Sequence, residues 1–160
     1  MGPEEVLIDT CVLIDFSRRR EAARRFLASI RYVRLRISAI TVAEFCAGLR
    51  ADRERAWFDA WLQTVGTLHV TADIAQLGGF YRRDFRSSHV VTLLDALIAA
   101  TAKVHGIRLV TRNVRHFPML DDVIVPYRLQ LKAAAVMQVA ARPSTHSYSG
   151  IRQVAPRPGG

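Results

Sequence analysis

Three carboxylates stand where their neighbours favour the protein interior. Asp9 closes the apolar run "VLID" (6–9). Glu44 lies in "ITVAEFCAGL", beside Val42, Ala43, Phe45 and Cys46. Asp95 sits in "VTLLDALIAATA" (91–102), a helix-like run of Leu, Ile and Ala. A carboxylate buried without a partner is expensive, and it shifts its pKa or finds a cation. No Lys or Arg lies within a helical turn of Glu44 or Asp95, so neither has a local helix salt bridge. Two accounts follow. The acids are helix caps or exposed ends, unrelated in space, or they converge on one site. Converging like charges repel, and a bound divalent cation is the natural compensation. Carboxylates and water suit Mg2+ or Mn2+ better than zinc. Such a site acidifies a bound water and clamps phosphate oxygens, which is phosphodiester hydrolysis chemistry.

Other chemistries find less support. The sequence has no G-x-S-x-G elbow, no P-loop and no H-E-x-x-H. Its five histidines (69, 89, 105, 116 and 146) show no paired ligand spacing. The residue two after Asp9 is Cys11, not an acid, so Asp9 does not match a phosphate-accepting nucleophile of the haloacid dehalogenase kind. Cys11 and Cys46 have neither zinc nor C-x-x-C spacing and read as small buried apolar residues.

These acids need elements to carry them. "VLID" reads as a buried strand, and "CVLIDFSR" as a helix capped near Asp9 or Thr10. Helix periodicity follows over 20–30, with Ala23, Phe26, Leu27 and Ile30 on one side. "VRLRIS" (33–38) alternates as a half-exposed strand does. Helices are predicted over 38–50, 52–65, 72–85 and from the opening of "VTLLDALIAATA" to Gly106. Gly78-Gly79 weakens the third of these by about 1 kcal/mol per glycine. Short strands are predicted at 67–70, 107–111 and 123–125. Alternating strands and helices imply an α/β fold with a mostly parallel central sheet flanked by helices. In such sheets the functional crevice lies beyond the carboxyl ends of the strands, where Asp9 and Thr111-Arg112-Asn113 fall.

The 160 residues fit one domain, and half of them are apolar. No apolar stretch reaches the ~20 residues of a membrane span. The acidic start "MGPEEVLID" is unlike a secretory signal. A soluble, intracellular protein is expected, with no membrane partner. The net charge is +9. Residues 128–160 carry five bases (Arg128, Lys132, Arg142, Arg152 and Arg157) and no acid, which leaves +4 for residues 1–127. A basic surface favours nucleic acid through release of counterions from phosphate. The domain boundary is placed near 127. Beyond it, "RLQLKAAAVMQVAA" can form a short helix, and the Pro-, Gly- and Ser-rich remainder has a disordered composition.

Four segments in this order, "LIDTCVLID" (7–15), "SAITVAEFCAGL" (38–49), "LLDALIAATA" (93–102) and "LVTRNVRHF" (109–117), resemble a PIN-domain ribonuclease of the VapC toxin type. The resemblance covers residues 5 to about 126. It implies a PIN-domain fold and a cytoplasmic, Mg2+- or Mn2+-dependent endoribonuclease. Asp9 and Asp95 match direct metal ligands, and Glu44 matches an acid acting through water or on the nucleophile. Thr10 and Thr111 match hydroxyls lining the site. Asp15, farther into the first helix, reads as structural or surface. The pattern departs at the fourth acid: Asn113 and His116 stand in that segment. Asn113 offers a carbonyl to metal or metal-bound water, and His116 offers a phosphate contact or a proton carrier, or only packs beside Phe117. Arg112 and Arg115, with Arg82 and Arg83, are candidates to hold the RNA backbone. The resemblance further implies a VapB-type antitoxin and a homodimer. The surface of Phe45, Leu49, Trp57, Phe58 and Trp61 offers either a groove wall for that partner or ordinary core. The missing fourth acid leaves a second class open, a catalytically impaired PIN-like module that binds RNA or protein.

Overall fold

The computed structural model describes residues 4–87 and 90–128. Most of the extension predicted beyond 127 therefore lies outside the described residues. The elements follow the order β1 (Glu5–Ile8), α1 (Thr10–Ser17), α2 (Glu21–Ser29), β2 (Arg34–Ser38), α3 (Ala39–Ala47) and α4 (Asp52–Leu62). β3 (Gly66–Leu68), α5 (Ala72–Phe85), α6 (Leu93–His105), β4 (Arg108–Val110), a 3-10 turn (Val114–His116) and β5 (Val123–Ile124) complete it.

The strands form one sheet in the order β3-β2-β1-β4-β5, and every pair is parallel. The chain winds outward from β1 to β3 on one side, then from β4 to β5 on the other. The switch point falls between β1 and β4, where Leu7 pairs with Leu109 and Ile8 with Val110. A crevice for a ligand is expected there, at the strands' carboxyl ends.

Strand side chains alternate between faces, and the core divides accordingly. Leu7 and Leu109 pack with Ile98, Ala99 and Ala102 of α6 and with Phe117. Val6, Ile8, Ile37 and Val110 pack on the other face with Val12 of α1 and the α2 side chains Phe26 and Leu27. A third cluster joins Leu13, Phe45 and Phe58, with Trp57 and Trp61 against it. The two indoles stack at 6.1 Å between ring centroids. Phe45 and Phe58 are buried, so these two belong to the core and not to a groove wall.

α5 runs unbroken through Gly78-Gly79. A Cβ at Gly78 would lie 2.7 Å from Leu97 Cδ2, so the missing side chain lets α5 close against α6. α6 begins at Leu93, two residues into the apolar run. It ends at Gly106, whose φ of +64° is the left-handed conformation that favours glycine. Among the described residues no helix is long and apolar enough to cross a membrane.

Candidate active site

Asp9 follows β1 directly and occupies the N-cap of α1. Its N–H continues the sheet by donating to the Val110 carbonyl at 3.0 Å. Its side chain makes no cap. It instead accepts a hydrogen bond from the Thr111 hydroxyl at 2.6 Å and one from the Cys11 thiol at 3.0 Å. Asp9 is only 5% exposed. Burial, with the charge of Asp95 added, pushes its carboxyl above the usual range even though these hydrogen bonds oppose the shift.

Glu44 projects from the middle of α3, half-buried. The Thr10 hydroxyl donates to its Oε2. Burial raises its carboxyl pKa, and the charges of Asp9 and Asp95 raise it further. Asp95 belongs to the first turn of α6. Its Oδ2 accepts from the Thr92 N–H at 2.8 Å and the Thr92 hydroxyl at 2.7 Å, while its own N–H donates back to Thr92 at 3.1 Å. This is a capping box. Asp95 is thus not mid-helix, as its place in the run suggested. It is a cap that also carries its charge toward Asp9 and Glu44.

The two accounts of the acids therefore merge. Three elements, β1–α1, α3 and α6, bring the carboxylates close enough that Asp95 raises the pKa of Asp9 and both raise that of Glu44. Among the described residues no ion pair reaches Asp9 or Glu44, whereas His116 Nδ1 lies 3.4 Å from Asp95 Oδ2. Glu44 Oε1 and Asp95 Oδ1 have no hydrogen bond among the described residues. This donor set, oxygen-rich and short of positive charge, fits a hard divalent cation. Among the described residues no three His, Cys, Asp or Glu side chains are already gathered tightly enough to hold one.

Other expected site residues take different work. Thr111 is fully buried and Thr10 nearly so. Their hydroxyls orient Asp9 and Glu44 and are not placed to meet a substrate. Thr111 Oγ1 also accepts the Asn113 N–H at 3.0 Å. Arg112 is turned away from a rim role: its Nε contacts Asp15 Oδ2 at 2.7 Å. Asp15 is deeply buried, and Arg20 at 3.2 Å and the Tyr127 hydroxyl at 3.0 Å also reach it. It is structural rather than a surface acid. Asn113 and Arg115 are exposed, as a substrate contact requires. Arg83 pairs with Asp84 at 2.7 Å. Arg82 is partly buried.

Cys11 was missed as a site residue. Burial first, then the charge of Asp9, pushes its thiol up to about 12, so it stays a protonated donor to that carboxylate. Its position two residues after Asp9 was the available signal. Thr92, three residues before Asp95, was readable as a capping partner from spacing alone.

The PIN domain model matches residues 6–122. The chain belongs to the PIN domain family. Ribonuclease VapC19 of Mycobacterium tuberculosis is 42% identical over 124 residues, which is 76% of this chain and 98% of that protein. Ribonuclease VapC10 of the same organism is 39% identical over 76% of this chain and 92% of its own length. Among solved structures, a toxin–antitoxin complex from Klebsiella pneumoniae aligns with a TM-score of 0.67 and 29% identity. It covers 78% of this chain and 99% of its own. The PIN fold thus confirms the parallel, helix-flanked sheet expected from the sequence.

Proposed function

We propose that this PIN-domain chain is a VapC-type toxin, a cytoplasmic endoribonuclease that hydrolyses RNA phosphodiester bonds with Mg2+ or Mn2+. One observation supports the reading: three carboxylates from separate elements lie within electrostatic reach of one another, and no ion pair reaches Asp9 or Glu44 among the described residues. Asp9 and Asp95 would hold the ion, with Glu44 beside them. When bound, the cation supplies charge for the phosphate oxygens and an acidified water. Glu44, held by the Thr10 hydroxyl beside the other two acids, would be the proton acceptor. Thr111, Thr10 and Cys11 restrain the Asp9 and Glu44 carboxylates. Exposed Asn113 and Arg115 are placed to meet the RNA backbone, and His116 sits beside Asp95 where a phosphate contact is possible.

The named relatives and the toxin–antitoxin complex support a VapB-type antitoxin as partner. A homodimer is expected by the same analogy. Residues 1–127 would form the catalytic domain, and the basic stretch beyond would add electrostatic affinity for RNA.

Cleavage of total RNA by the purified chain tests the proposal, with Mg2+, Mn2+ or EDTA and beside Asp95→Asn. Discrete metal-dependent products should appear and fall by about 100-fold or more in the variant. RNA binding without cleavage by either protein would support a binding module instead.

A further inference from the structure

The positive charge around the site is distributed unevenly. Asp15 has two guanidinium groups on one buried carboxylate, Arg112 at 2.7 Å and Arg20 at 3.2 Å. Among the described residues no cation pairs with Asp9 or Glu44, which accept hydrogen bonds from Thr111, Cys11 and Thr10 instead. Yet Arg112 is the cation best placed to do so. It follows Thr111, whose hydroxyl is bonded to Asp9. Its own N–H is directed at Cys11 Sγ at 3.5 Å, and that thiol is bonded to Asp9. An arginine side chain rooted there has the Asp9 carboxylate within its length. Guanidinium–carboxylate pairs are among the strong charge-assisted contacts, so leaving this arginine free would fill the cluster from within.

We propose that Asp15 acts as a buried counter-charge that holds the Arg112 guanidinium away from Asp9, Glu44 and Asp95 and so leaves the cluster open to a divalent cation. The inference rests on the metal reading given above. Asp15 and Arg112 are positioning residues: neither touches metal or RNA. Asp15 is suited to the task because it is buried at its own end of α1, with 3% of its side chain exposed, and water does not screen its hold. The Tyr127 hydroxyl donates to the same oxygen at 3.0 Å and keeps that oxygen in place.

The test is Mn2+ affinity measured by calorimetry on the full chain, with folding checked by circular dichroism. Asp15→Asn should weaken Mn2+ binding by about tenfold, the size of a typical coupling between competing occupants. Asp15→Asn with Arg112→Gln should recover the affinity to within about threefold of the original, because the competing cation is gone. A double variant as weak as Asp15→Asn, or an Asp15→Asn protein with unchanged affinity, would overturn the inference. Should Asp15→Asn fail to fold, Arg112→Gln alone decides. Unchanged Mn2+ affinity and unchanged KM for RNA support the proposal, and a loss in either overturns it. No Mn2+ binding by the unaltered chain would remove the metal reading itself, which is a separate result.

Discussion

Replacing Asp9 by Asn should make the protein more stable and inactive. Asp9 is 5% exposed, and its carboxyl is raised above its ordinary value of 3.8 by burial and by Asp95. A carboxyl whose pKa is higher folded than unfolded binds its proton more tightly in the folded state. The folded state then binds more protons than the unfolded one, so the contribution of this group to stability falls as pH rises above 3.8. At neutral pH, without metal, the charged form is a net burden. Asn has nearly the same shape, and its carbonyl oxygen can still accept from Thr111 and Cys11. Its amide can face Glu44 and Asp95 as a donor where Asp9 faced them as a like charge. The gain should be about 1 kcal/mol, typical for relieving a strained functional position. For a domain of this size that is about 4 °C in Tm. Differential scanning calorimetry in EDTA at pH 7.5 measures it. The gain should shrink as pH is lowered toward 3.8, because Asp9 of the unaltered chain takes up its proton in the folded state before the unfolded one does. Adding Mn2+ should reverse the ranking, since an ion at a hundredfold excess over Kd stabilises the unaltered chain by about 2.7 kcal/mol and the variant far less. An Asp9→Asn protein that melts below the unaltered chain at pH 7.5 in EDTA would refute the electrostatic account of the site.

Thr111→Val removes a donor to a buried carboxylate, a contact worth about 1.5–3 kcal/mol. Mn2+ titration should show affinity lowered by about tenfold or more, with KM for RNA little changed. Thr92→Ala opens the capping box of α6 and should cost about 1 kcal/mol in urea unfolding. The same change frees the Asp95 carboxylate, so cleavage should fall by more than the stability loss explains. The paired glycines of α5 should respond oppositely. Gly79→Ala meets nothing within 4 Å and should stabilise by about 0.5–1 kcal/mol, whereas Gly78→Val strikes Leu97 and should destabilise by about 1–3 kcal/mol, both read from thermal melts.

The fold was legible because its signals are local. Among the described residues each predicted strand and helix exists, with ends moved by at most a few residues, because apolar periodicity, Gly106 and the short buried strands all point the same way. The acids were legible for the opposite reason. Asp9, Glu44 and Asp95 break the pattern of their own segments, and a charge that contradicts its surroundings needs an explanation elsewhere in the chain. What the sequence could not show is how each charge is managed. Thr10 and Glu44 are 34 positions apart, Asp9 and Thr111 are 102 apart, and Asp15 and Tyr127 are 112 apart. Only the crossover of a parallel sheet brings such partners together.

Asp15 shows the consequence most clearly. The two acids Asp9 and Asp15 stand in one sequence motif, six residues apart, and Asp15 reads from sequence as structural or surface. In space the two have opposite fates. Asp15 lies one and a half turns into α1, paired with two guanidinium groups and bonded by the Tyr127 hydroxyl, while Asp9 at the helix start has no cation partner among the described residues. Folding stability alone favours pairing every buried acid. The fold provides that pairing where the acid does structural work and withholds it at the sheet's switch point. The withheld charge is what makes the cluster a candidate for a metal and not another ion pair.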